Sequence, residues 1–285
     1  MIPGSPTVRR RRLSAELVRM REQAGMTVEE VTKSLEWSRG RLSHMEQNRW
    51  TRPDLGNIRA LLNLYGVTDP EVCEAILNLA RQSREKGWWA QYKDIFGGSL
   101  PGFEAEATQI RSFELALVPG LLQTPDYAKA IFHAGQVLDE AAVQRRVEAR
   151  CARQGILDRQ APPQFWAVID EAALRKSVGG EDVMARQLEH LVLMAKRPNI
   201  TIQILPDSVG AHAALQGAFV ILDFSSALDP SLVYLETATE SLWLEKVEQV
   251  QAYTLIYNRI VAAAMTAEES LRHMTTLSDR PLLRS

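Results

Sequence analysis

No run of about 18 apolar residues occurs in the 285-residue chain, so no segment is expected to span a membrane as a helix. The opening MIPGSPTVRRRRLS has an arginine cluster but no apolar stretch behind it, so no secretory signal is expected. Cysteine is scarce: Cys73 and Cys151 lie far apart, with neither the density of a disulfide scaffold nor the spacing of a metal site. The five histidines (44, 133, 190, 212 and 273) show no His-x-x-x-His pattern. There is no Gly-x-Ser-x-Gly elbow and no Gly-x-x-x-x-Gly-Lys phosphate loop. Asp170 and Glu171 are adjacent carboxylates, but neighbouring residues point apart on a helix or a strand, and Asp170 reads as a helix cap. No catalytic residue, cofactor or metal is therefore expected, and the expected location is the cytoplasm, in association with the nucleoid.

Net charge is also nearly lacking, at −2, which argues poorly for a nucleic-acid partner until its distribution is read. Residues 1–52 hold eleven Lys or Arg against six Glu, a balance of +5, so the remainder carries −7. A basic head on an acidic body suits a DNA-reading module joined to a sensing or partner-binding one. A solvated N-terminal charge cluster is the plainer alternative.

Patterning divides the chain into a basic arm over 1–12, expected to be disordered, a helical domain over 13–85, a junction over 86–103 and a larger domain over 104–280. In the helical domain, Leu13, Leu17, Val18 and Met20 form an apolar stripe that Gly25 terminates. Thr27 and Glu30 form a capping box, Ser38 starts a third helix, and Asp54 caps a fourth. Asp69 with Pro70 opens a fifth. The junction EKGWWAQYKDIFGGSLPG is aromatic and then glycine-rich. Beyond it, helical patterns are read at about 104–117, 125–135, 139–158, 180–196 and 241–277. The strand candidates are QFWAVID, NITIQILP, GAFVILDF and SLVYLET. The expected fold is mainly α: a five-helix helix-turn-helix domain followed by a helical and short-stranded α+β domain.

The unit TVEEVTKSLEWSRGRLSHMEQN carries the chemistry. With Ser38 as N-cap, Leu42 and Met45 point inward. Gly40, Ser43, His44 and Gln47 point outward, flanked by Arg39 and Arg41. Arginine pairs with guanine O6 and N7 through two donors, which suits base reading at the start of a major-groove helix. Thr27 and Ser38 leave amides at helix starts for phosphate oxygens, and Arg49 and Arg52 are placed to neutralise the backbone. Arg9, Arg10, Arg11 and Arg12 read either as a minor-groove arm or as a solubilising tail.

Thr27, Glu30, Val31, Leu35, Ser38, Leu42, Ser43, Met45, Glu46, Pro53, Leu55 and Leu64-Tyr65-Gly66-Val67, in that register, resemble the xenobiotic-response-element family of regulators, which includes the phage repressors. The resemblance covers about residues 13–67 and implies a homodimer on a partly palindromic operator in double-stranded DNA, with half-sites about one helical turn apart. It also implies a structural role for Glu46. Three positions depart from the pattern: Val28 stands where a phosphate-contacting Gln is usual, Glu36 where the turn usually has Gly, and Gly40 at a usual reading position.

Over about residues 88–278, the segments LVPGLLQTPDYA, RRVEARCARQGIL, VIDEAALRKSVGG, QLEHL, PNITIQILP, GAHAALQGAFVILDF and VYLET resemble the C-terminal domain of an actinobacterial group of helix-turn-helix regulators. That group is described as antitoxin-like or development-associated, and its members are often encoded beside a small acidic partner protein. Arg146, Arg150 and Arg153 share one face opposite Val143 and Val147, read as a solvated salt-bridged face or as a patch for an acidic partner. His212 lies in a long loop of small residues, and Trp88 and Trp89 read as packing or as pocket walls. Two functions stay open. One is a regulator whose C-terminal domain senses a small-molecule effector or a small protein. The other is an antitoxin-like interaction module that sequesters a partner and uses DNA binding for autoregulation.

Overall fold

The computed structural model describes residues 5–50, 52–96, 100–135, 139–226, 228–237 and 239–278. The chain forms two compact units, Met1–Glu106 and Ala107–Ser285. The first is helical and the second is α+β, as the sequence pattern leads one to expect.

In the first unit, α1 (Pro6–Gln23), α2 (Val28–Ser34), α3 (Arg39–Glu46), α4 (Leu55–Leu64) and α5 (Pro70–Gln82) enclose one apolar core. Leu13 and Leu17 of α1, Val31 of α2, Leu42 of α3, and Ile58 and Leu61 of α4 are wholly buried in it. The caps form as the sequence specifies. The Thr27 hydroxyl accepts from the Glu30 amide at 3.2 Å, and Glu30 Oε2 accepts from the Thr27 amide at 2.7 Å. Asp54 and Asp69 cap α4 and α5 through the amides of Asn57 and Glu71.

The first four helices share one termination. Gly25, Glu36, Asn48 and Gly66 each take a positive φ, between 55° and 70°. The next residue then donates its amide back into the last turn: Met26 to Arg21 O, Trp37 to Thr32 O, Arg49 to His44 O and Val67 to Leu62 O. This is the Schellman arrangement, and Met26, Trp37 and Val67 use it to turn their side chains onto the core. Glu36 therefore occupies a left-handed conformation that glycine adopts more readily.

Residues 6–12 correct the expectation of a disordered arm: they are the first two turns of α1. Pro6 at the first helical position pre-sets φ, arginine is a good helix former, and Val8 and Arg11 are buried. The junction is also ordered in part, with a 3-10 turn at Trp88–Tyr92 followed by α6 (Lys93–Phe96) and α7 (Leu100–Glu104).

The second unit is built on a six-stranded sheet of order β3-β2-β1-β4-β5-β6. The strands are β1 (Gln109–Glu114), β2 (Gln164–Asp170), β3 (Ile200–Leu205), β4 (Phe219–Asp223), β5 (Leu232–Glu236) and β6 (Ser241–Leu244). Strands β1, β2 and β3 are parallel, and β4, β5 and β6 continue antiparallel. The crossover from β1 to β2 holds α8 (Pro125–Gly135) and α9 (Glu140–Gln154), and that from β2 to β3 holds α10 (Glu171–Arg175) and α11 (Glu181–Met194). On one face Phe113, Val168, Phe219, Ile221 and Val233 pack against Tyr257 and Ile260 of α12 (Val247–Ala263). The final helix, α13 (Ala267–Ser278), satisfies the β3 edge, where Ser270 Oγ accepts from the Ile204 amide at 2.9 Å.

Two segments read as helix are strands. Residues 109–114 form β1, where Arg111 lies on a sheet face and makes two 3.0 Å hydrogen bonds to Asp223 of β4. That charged pair breaks the apolar alternation by which a strand is recognised. The four residues of β6 run almost directly into α12, and so short a strand leaves no period of its own.

Candidate nucleic-acid interface

The second helix of a helix-turn-helix needs a buried inner face, a brace behind it and an uncluttered outer face. α3 has all three. Leu42 and Met45 are buried, while Arg39, Gly40, Arg41, His44 and Gln47 are exposed and Ser43 is half-buried. Behind it, Ser14 Oγ of α1 donates to Met45 O at 2.6 Å and accepts from the Trp50 indole at 3.0 Å. Arg21 of α1 grips Glu46 of α3 in a two-pronged ion pair, at 2.7 and 3.2 Å, and its Nη1 donates to Met26 O at 2.9 Å. The side chains of this pair are only 13% and 9% exposed. The Glu46 hydrogen bond raises the Arg21 pKa, and burial, with Glu46 nearby, pushes the Tyr65 hydroxyl above its ordinary range. Glu46 is thus committed to bracing α3.

The outer residues differ in how they are held. Arg39 Nη2 meets Glu29 Oε1 of α2 at 2.5 Å, with both side chains almost three-quarters exposed. Surface pairs of this kind contribute little and exchange readily for other partners. Arg41 stacks over the Trp37 ring at 4.4 Å and donates to Asn57 Oδ1 of α4 at 2.6 Å. A Cβ added at Gly40 would meet nothing, so the first turn of α3 is bare there. Ser38 sits at the N-cap without a side-chain cap bond, and Thr27 is engaged in its capping box. Arg49 and Arg52 are exposed just past α3. Together these residues make a surface of outward guanidinium, imidazole and amide groups over a rigid core. Such a surface can donate to phosphate oxygens and base edges.

The arginine run does not join this surface as a flexible arm. Arg9 bonds Gln82 of α5, Arg10 Nε donates to Asn48 Oδ1 at 3.3 Å, and Arg11 is buried. Trp88 and Trp89 contact each other edge-on at 5.9 Å, Trp88 also meets Phe96, and the Trp89 ring lies where a side chain on Gly87 would collide.

A family described as a helix-turn-helix domain matches residues 12–75. A second, described as a domain of unknown function (DUF5753), matches residues 98–276, more than half of the chain. The chain belongs to the DUF5753 family. Its N-terminal helix-turn-helix domain supports DNA binding and transcription regulation. No curated protein and no solved structure matches the chain. No described helix is long and apolar enough to cross a membrane.

In the DUF5753 part the singled-out residues have partners inside the unit. The VPGLLQT segment is fastened by side-chain amides: buried Gln123 Nε2 donates to Val118 O at 2.8 Å, and half-buried Gln154 Nε2 to Gln123 O at 2.7 Å. Gln187 accepts from the Thr124 amide and donates to Leu122 O, both at 2.7 Å. Arg150 departs from the expected solvated face. It is half-buried, bonds Gln123 Oε1 at 2.6 Å and lies 5.1 Å over the Phe132 ring. Arg146 and Arg153 are likewise half-buried; Arg146 Nη1 reaches its own helix at Ala142 O. Burial pushes the Glu114 carboxyl at the end of β1 up to about 7, against the pull of Arg153. His212 is buried against Phe113, with Nε2 3.7 Å from Asp170 Oδ2. Asp170 also caps α10 through the Ala172 amide, as the sequence suggested. Sequence reasoning missed Ser14, Trp37, Trp50 and Asn57. Trp37 alone leaves a trace in the sequence, as an aromatic between α2 and the Ser38 cap of α3.

Proposed function

We propose that the protein is a sequence-specific transcriptional regulator of the phage-repressor type, which binds a partly palindromic operator as a homodimer. α3 enters the major groove. Arg39, Arg41, Ser43, His44 and Gln47 face the base edges, and the bare surface at Gly40 allows close approach. Arg49, Arg52 and the helix starts at Thr27 and Ser38 meet phosphates. The DUF5753 unit receives the signal, a small-molecule effector or a small partner protein, and α3 answers it on DNA in the cytoplasm. One observation carries this reading: α3 has an exposed outer face above a buried, ion-paired inner one.

Selection of bound sequences from a random duplex library with the full chain, at near-physiological salt, tests it. Recovery of a palindrome with half-sites about one helical turn apart is expected. Recovery of no motif would overturn the reading. Affinity for the recovered duplex is expected to fall steeply with salt, because neutralised phosphates release their counterions.

A further inference from the structure

Arg41 is held by two elements outside its own helix. The Trp37 indole comes from the turn before α3, and the Asn57 amide from the first turn of α4. Each anchor is itself fixed. Trp37 donates its backbone amide to Thr32 O at 2.8 Å, an arrangement reached through the positive φ of Glu36, and its ring packs on the core. Asn57 donates its backbone amide to the capping Asp54 Oδ1 at 2.9 Å. Arg39, two residues earlier, pairs instead with Glu29, both side chains being almost three-quarters exposed. The contact with the Trp37 ring is made at Cζ and Asn57 accepts from Nη2, while an arginine carries five N–H donors in a planar fork that suits an acceptor pair. The side-chain freedom that an arginine normally loses on binding is here already surrendered.

We propose that Trp37 and Asn57 are specificity-determining positioning residues, which hold the Arg41 guanidinium ready to read one guanine in each half-site through O6 and N7. This rests on the reading of α3 as the major-groove helix. It goes further in assigning base discrimination to a three-residue unit that spans the turn, α3 and α4. Gly40, whose surface is open, lets the duplex come close beside that unit.

The test uses the full chain with two duplexes of equal length: the one recovered by selection and a scrambled version. Arg41→Lys keeps the charge but loses the planar fork. It is expected to lower affinity for the selected duplex about tenfold or more, with the scrambled duplex changed less than about twofold. Trp37→Leu should do the same, and Trp37→Phe should retain most of the affinity. The double variant Trp37→Leu/Arg41→Lys should bind no more weakly than Arg41→Lys alone. Repeating the selection with Trp37→Leu should return the motif with one guanine per half-site degenerate. Equal losses on both duplexes, or a double variant whose loss is the product of the single losses, would overturn the proposal and leave Trp37 merely structural. If the unmodified chain selects no motif, the regulator reading fails, and this assignment falls with it.

Discussion

Removing one partner of the Arg21–Glu46 pair should loosen α3 from α1 before it affects anything else. Breaking a buried ion pair typically costs about 3–5 kcal/mol, because the surviving charge stays desolvated. Here a small residual exposure softens that penalty, and in Glu46→Gln a neutral acceptor of the same shape remains for Arg21. We expect a loss of about 2–3 kcal/mol for Glu46→Gln and about 3 kcal/mol for Arg21→Met, the latter also orphaning Met26 O. Against the roughly 5–15 kcal/mol of a typical domain, both variants remain folded. Arg21→Met/Glu46→Leu removes both charges and should return to within about 1–2 kcal/mol of the parent. Whole-chain melting would mix the transitions of two units, so native-state amide exchange at Leu17, Leu42 and Ile58 is the better assay. These residues are wholly buried in the helical unit and report its opening alone. Single-variant losses below about 1 kcal/mol, or a double variant that loses the sum of the single losses, would refute the reasoning.

Glu36→Gly should stabilise the helical unit by about 0.5–1 kcal/mol in the same amide-exchange assay, since relief at φ 55° exceeds the added freedom of the unfolded chain; destabilisation would show that the Glu36 side chain contributes a contact. Gln187→Leu should cost about 2–4 kcal/mol, because the Thr124 amide and Leu122 carbonyl lose their partners together; a neutral result in native-state amide exchange at the buried Ile202 and Ile221 of the second unit would mean that water replaces the amide. Glu114 predicts a pH dependence. Its folded-state pKa is raised to about 7, so its favourable contribution is present below the ordinary carboxyl range and is lost as pH rises through about 7. Glu114→Gln should therefore gain on the parent between pH 5 and 8, by at most about 3 kcal/mol, and a constant difference across that range would contradict the raised pKa.

The parts legible in the sequence were those in which a residue acts on its own backbone. Thr27 with Glu30, Asp54, Asp69 with Pro70, and Gly25 mark helix ends through bonds spanning a few residues, and all lie where they were read. Glu36 was legible as a strained position because the resemblance set it where glycine is usual, and its positive φ follows. What escaped depends on contacts across the chain. Arg111 looked helical because its partner, Asp223, lies 112 residues away on β4. The arm was expected to be disordered because arginine-rich composition says nothing of Gln82 and Asn48, which receive Arg9 and Arg10. Likewise, the outward face of α3 followed from the spacing of Leu42 and Met45, whereas the hold of Trp37 and Asn57 on Arg41 needed the packing of α4 against the turn.

The central claim is that the outer face of α3 reads DNA, and one measurement tests it most directly. Arg39, His44 and Gln47 are changed together to Ala, and affinities for the selected and the scrambled duplex are compared with those of the parent chain. Each lost base contact removes about 1–3 kcal/mol of discrimination. The account therefore predicts a fall of at least about a hundredfold on the selected duplex, with the scrambled duplex only slightly affected through the lost Arg39 charge. Unchanged affinity for both duplexes would contradict it and place the DNA-binding surface elsewhere.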